Sequence, residues 1–218
     1  YKVYLFGTLF PIVYLILIYY SSKDLFYGFT IYTGGNDGLV YNSYSNNIFH
    51  YLKTFDLKNV LLGVEKIFYF PSAIRYFLAL FKIIFSDTNY GYQIIGYFFC
   101  IIIFLLFIRI FGYGFGIFFS FLVICTRVLE GYGASIIKLL KHINSYDAEP
   151  FAMAIFFTCL YIFTYCYENK NYKNNILSFT FGLLSFFIVS LRPNYLPTVL
   201  LLLLIQLFYL NKYNRINQ

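Results

Sequence analysis

Three short polar motifs hold the side chains of this chain that could do chemistry. The first is Tyr32-Thr-Gly-Gly-Asn-Asp-Gly-Leu-Val-Tyr41. Gly34, Gly35 and Gly38 bracket Asp37 and allow a ligand to approach the backbone closely. A carboxylate there suits a general base that takes a proton from a hydroxyl. Asp37 also stands ahead of the run 39–53, which reads as a helix, so it equally suits an N-terminal cap. The second motif, Tyr146-Asp-Ala-Glu-Pro150, offers Asp147 and Glu149 at the head of an apolar run. Pro150 fits the first turn of a helix. These acids can cap that helix, orient a base or contact a metal. The third, Leu191-Arg-Pro-Asn-Tyr195, sets Arg192 between two apolar runs. An arginine so placed either serves a structural pairing or faces a cavity, where its fork suits a phosphate.

Other reactive residue types are poorly arranged. His50 and His142 lack ligand spacing. Cys100, Cys125, Cys159 and Cys166 all lie in apolar runs and read as small buried hydrophobes. Gly112-Tyr-Gly-Phe-Gly116 has no strand before it and reads as a turn between helices, not a phosphate loop.

These motifs must be positioned by apolar helices. The chain is 61% hydrophobic and only 11% charged, with a mean hydropathy of +0.70. A soluble domain carries about a quarter charged residues, so the composition predicts an integral membrane protein. The aromatic residues spread over every segment, which favours compositional bias over a ligand box. The formal net charge is +7, yet the basic residues sit beside apolar runs. That pattern is membrane topology, with a share for anionic lipid, and excludes nucleic acid as a partner.

Apolar runs predict spans near 3–20, 92–110, 113–129, 150–167, 176–191 and 196–210. With the N-terminus inside, Lys2, Arg109, Lys170, Lys173, Lys212 and Arg215 all fall on the cytoplasmic face. The polar intervals 21–91 and 130–149 then lie outside, with Arg192. Pro71 suits the start of a helix running to Phe85. Arg75 and Lys82 are seven apart on one face of it, so 70–85 reads as an amphipathic helix in the outer interface. The expected fold is all-α: a polytopic transmembrane bundle, one domain over 1–218, with interfacial juxtamembrane helices in the first outer loop.

Taken in order, these pieces resemble the polytopic glycosyltransferases of the GT-C fold, such as the dolichyl-phosphate-mannose protein mannosyltransferases and the bacterial aminoarabinose-type lipid transferases. The matching residues are Gly35-Asn-Asp-Gly-Leu-Val-Tyr41, Phe70-Pro71 through Phe85-Ser-Asp-Thr-Asn89, Glu149-Pro150, and Arg192-Pro193-Asn194. The resemblance implies a sugar donor on a polyprenyl phosphate and a lipid, glycan or protein acceptor. It implies an active site outside the membrane, in a bacterium outside the inner membrane. Asp37 would be the base or metal-contacting acid and Glu149 the second acid. Tyr41, Arg75, Lys138, Asp147, Arg192 and Asn194 would line the substrate site. Members are about twice as long, so the chain is expected to be the N-terminal part of a longer protein. The family's acid before the juxtamembrane proline has no clean equivalent, Glu65 being six residues early, which leaves a divalent metal open.

Two other classes remain open at this point. A transporter or scaffold subunit would use Arg192 and the acids as a polar pathway. A polysaccharide polymerase or ligase would use basic outer loops such as that of Lys138 and Lys141.

Overall fold

The computed structural model describes residues 5, 7, 9, 12–13, 16, 19–20, 37–64, 72–86, 90–125, 148–168 and 175–216. Its elements are α1 (Asp37–Lys53), α2 (Leu57–Leu62), α3 (Ser72–Phe85), α4 (Tyr90–Cys125), α5 (Glu149–Glu168), α6 (Asn175–Leu191), a 3-10 turn (Pro193–Tyr195) and α7 (Leu196–Ile216). Among the described residues every regular element is therefore helical, as expected.

α4 holds two of the expected spans. Gly112 breaks it at φ 76° and ψ 177°, angles that a residue with a Cβ avoids. A Cβ on Gly116 would lie 2.5 Å from the Cα of Ile108. Eight residues of straight helix would separate these positions by about 12 Å. The chain therefore doubles back at Gly112, and the small residue at 116 lets the two arms touch. The break between the helices falls at Gly112, the first residue of the run Gly112–Gly116, and the residues after it are helical.

By length and composition Glu149–Glu168 is apolar enough to cross a membrane, as is Ile94–Leu122 counted through its break at Gly112, and Ile176–Leu191 and Pro193–Phe208 are shorter apolar stretches. α5 begins and ends on glutamate, with no charge between. Nineteen steps of helix put the two acids about 28 Å apart. Each end carries an arginine partner. At the far end Arg109 meets Glu168 at 2.5 Å, and its guanidinium lies 5.4 Å and 5.0 Å from the rings of Tyr161 and Tyr165. Earlier in the chain, the helical residue Gly7 packs on the ring of Phe104.

The main core joins α1, α3, α4, α5 and α6 through Tyr41, Ile74, Leu78, Phe99, Phe151 and Leu191. A second cluster ties α5, α6 and α7 through Cys159, Phe181, Ile188 and Val199. Cys100, Cys159 and Cys166 are buried and in no disulfide, in keeping with their reading as small apolar side chains.

α1 lies on α3, and the contact is unusual. Arg75 and Lys82 share one face of α3, as their spacing predicts, but α1 roofs that face and buries both. Lys82 donates to Asn42 Oδ1 at 2.6 Å and to Asn46 Oδ1. Arg75 donates to the Gly63 carbonyl at 2.7 Å and stacks over Tyr44 at 4.4 Å. Buried cations persist only with such partners. Leu80, Ile83 and Ile84 of α3 are exposed instead.

Candidate functional site

Pro193 creates the site. Its ring disfavours helical backbone at the residue before it, and Arg192 is accordingly extended at φ −145° and ψ 99°. The break is tidy. Arg192 N–H closes α6 on the Ile188 carbonyl at 2.9 Å, and Tyr195 N–H returns to the Arg192 carbonyl at 3.1 Å. A 3-10 turn then leads into α7.

This geometry carries two side chains back to the head of α5. Arg192 Nε lies 3.2 Å from Glu149 Oε2. Tyr195 donates its hydroxyl to Glu149 Oε1 at 2.9 Å. Both carboxylate oxygens are thus engaged by groups 43 and 46 residues further along the chain. The Tyr195 ring packs on Phe156 at 5.5 Å between centroids, which anchors the turn on α5. Burial pushes the Tyr195 phenol up from its usual value, and the charge and hydrogen bond of Glu149 push the same way. Arg192 opposes them in part. Tyr195 is therefore a hydrogen-bond donor across the neutral range.

Asp37 is exposed, in the first turn of α1. The helix starts at Asp37 and not two residues later. Tyr41, one turn on, is buried in the same cluster as Ala148 and Leu191. Those two residues directly precede Glu149 and Arg192. The first, second and third polar motifs thus reach one packed region through their neighbours Tyr41, Ala148 and Leu191.

The other expected site residues divide. Asn194 is exposed on the 3-10 turn beside Arg192. Arg75 is wholly buried, holding the end of α2 to α3. Lys138 and Asp147 lie outside the described residues, as do Glu65 and His142. Among the described residues no group of three or more His, Cys, Asp or Glu could hold a metal ion. Tyr195 was not among the expected residues. Its signal was its place in the Arg192-Pro-Asn-Tyr195 motif, where a short turn after proline swings it toward the same partner.

No family model, no curated protein and no solved structure matches this chain.

Proposed function

We propose that the chain is part of a membrane glycosyltransferase of the GT-C type, spanning the bilayer several times and working at its outer face. One observation carries this reading. Glu149, Arg192 and Tyr195, from distant parts of the chain, meet at one end of apolar helices, in register with the cluster that holds Tyr41. The length of α5 between its two charged ends, about 28 Å, suits a hydrocarbon core of about 30 Å. Glu149 and Arg192 then belong to the outer boundary and Arg109 and Glu168 to the inner one.

The donor is a sugar on a polyprenyl phosphate, its tail along the bundle. Arg192 receives the phosphate, for which a guanidinium fork is well shaped. Glu149 and Tyr195 set the orientation of that guanidinium and act as positioning residues. Asp37 takes the proton of an acceptor hydroxyl as its oxygen attacks the anomeric carbon. The bond from that carbon to the phosphate oxygen breaks, and the phosphate leaves with the electron pair. One displacement inverts the centre, through a transition state like that of glycosidases. Stabilising the departing charge is the larger electrostatic task.

The test is transfer of label from polyprenyl-phosphate sugars in membranes with and without the protein. Label appearing in an acceptor only with the intact protein supports the reading. Equal transfer in both removes it. The break at Arg192 also suits a transport pathway between discontinuous helices. Solute flux without label transfer would favour that alternative.

A further inference from the structure

The Glu168 end of α5 carries an unusual charge balance. Glu168 is the last residue of the helix, and the last turn holds no basic side chain. A helix ends with roughly half a negative charge on its free carbonyls, so a carboxylate there is disfavoured unless a cation joins it. Arg109 of α4 supplies one, with Nη2 2.5 Å from Glu168 Oε2. The two side chains are placed differently, Arg109 being 15% exposed and Glu168 48%. The guanidinium lies against the rings of Tyr161 and Tyr165, one turn apart on α5, while the carboxylate stands in the open. Among the described residues one positive charge therefore meets a carboxylate plus a helix end, and a negative excess remains on the exposed side.

The same place lacks an acceptor. Arg109 Nε is screened from solvent yet has no hydrogen-bond partner among the described residues. A buried donor left so costs free energy, and an acceptor oxygen at the guanidinium edge would relieve it after a small turn of the side chain. The surroundings are apolar. Ile110, Phe111 and Tyr113 follow Arg109 and are exposed, as are Tyr165 and Tyr167 near Glu168. A ligand for this place thus carries an acceptor oxygen for Arg109, a cation for Glu168 and an apolar body. Quaternary ammonium groups need open aromatic faces, and the faces of Tyr161 and Tyr165 that look onto the pair are taken by Arg109. A primary ammonium instead donates directly to a carboxylate. A purely anionic head group is disfavoured, because Glu168 repels it.

We infer that Arg109 and Glu168 hold the head group of an inner-leaflet phospholipid with a primary ammonium, its phosphate on Arg109, its ammonium on Glu168 and its acyl chains against Ile110 and Phe111. This rests on the membrane reading of the bundle, in which this end of α5 is the inner boundary, but not on sugar transfer.

The chain has no tryptophan, so a single introduced indole reports the lipid beside it. Tyr113→Trp reads this site, and Phe179→Trp, on an exposed face of α6, reads ordinary lipid. Both are reconstituted in phosphatidylcholine vesicles holding a minor fraction of phosphatidylethanolamine, phosphatidylglycerol or phosphatidylcholine brominated on its acyl chains. At position 113 the brominated phosphatidylethanolamine is expected to quench as though enriched about fivefold over phosphatidylcholine, the size of one screened ion pair. Phosphatidylglycerol should show no enrichment there, and at 179 none of the three should. In the Tyr113→Trp chain, Glu168→Gln is expected to abolish the enrichment of phosphatidylethanolamine and to raise that of phosphatidylglycerol, since Arg109 then lacks its counter-charge. Arg109→Gln should abolish the first without raising the second. Equal quenching by all three lipids at 113 overturns the inference and leaves the pair as a clamp between α4 and α5. Enrichment of phosphatidylglycerol beside the unaltered pair overturns it too. So does relief of quenching by soluble glycerophosphoethanolamine, which assigns the site to a free head group. No quenching at either position removes the membrane reading as well.

Discussion

Arg192 reaches back across the break imposed by Pro193 and meets Glu149, with 3.2 Å between Nε and Oε2. The pair joins the end of one apolar helix to the start of another. Glu149 is 43% exposed and Arg192 24%, so solvent screens the attraction. A double-mutant cycle with Glu149→Gln and Arg192→Gln is expected to give a coupling of about 0.5–1 kcal/mol in unfolding, no more than other exposed pairs.

Activity should respond far more strongly than stability. Removing one donor to developing charge commonly costs about 10²–10³-fold. Arg192→Gln is expected to lower label transfer by that order. Arg192→Lys should recover little, because a point charge does not reproduce the fork. Transfer by Arg192→Lys at the level of the unaltered protein would show that only the charge matters.

Asp37→Asn keeps the shape of the side chain and its place in the first turn of α1. If Asp37 is the base, transfer falls about 10²–10⁴-fold while the protein accumulates normally in membranes. Unchanged transfer would reduce Asp37 to a helix-dipole partner.

Tyr195→Phe removes the hydroxyl that Glu149 Oε1 accepts from, at a cost of about 1 kcal/mol. The phenol's pKa is raised on folding from 10.0. A raised value favours the protonated form in the fold. Its contribution is therefore complete below the unfolded value and is lost as pH rises through the folded one. The stability gap between the unaltered chain and the Tyr195→Phe variant should be flat from about pH 6 to 9 and close only in alkali. A gap that narrows on approaching pH 8 would contradict the burial of this group.

The glycines of the α4 turn are separable by design. Gly112→Ala places a Cβ at φ 76° and ψ 177°, costing about 1–3 kcal/mol. Gly116→Leu should cost more, since the Ile108 backbone occupies the space. Gly114→Ala meets nothing within 4 Å and is expected to be neutral or slightly favourable. Thermal unfolding in detergent ranks the three.

Much of this architecture was legible in the chain. Long apolar runs bounded by charge have one stable local solution, the helix, because unpaired backbone groups are costly away from water. Hence α3, α5, α6 and the turn at Gly112 fall where composition and glycine placed them. Pro193 likewise announced a break. Side-chain partners were another matter. Spacing put Arg75 and Lys82 on one face of α3 but could not say that α1 would cover it, because helical period fixes relative direction and not the neighbour. The same limit hid Tyr195 and left Arg75 among the phosphate ligands, although it holds a carbonyl inside the fold. Sequence nominated Glu149 and Arg192 one by one. Only the packing of α5 against α6, with the extended backbone before Pro193, joined them, since a contact over 43 residues depends on how helices cross and not on any local preference.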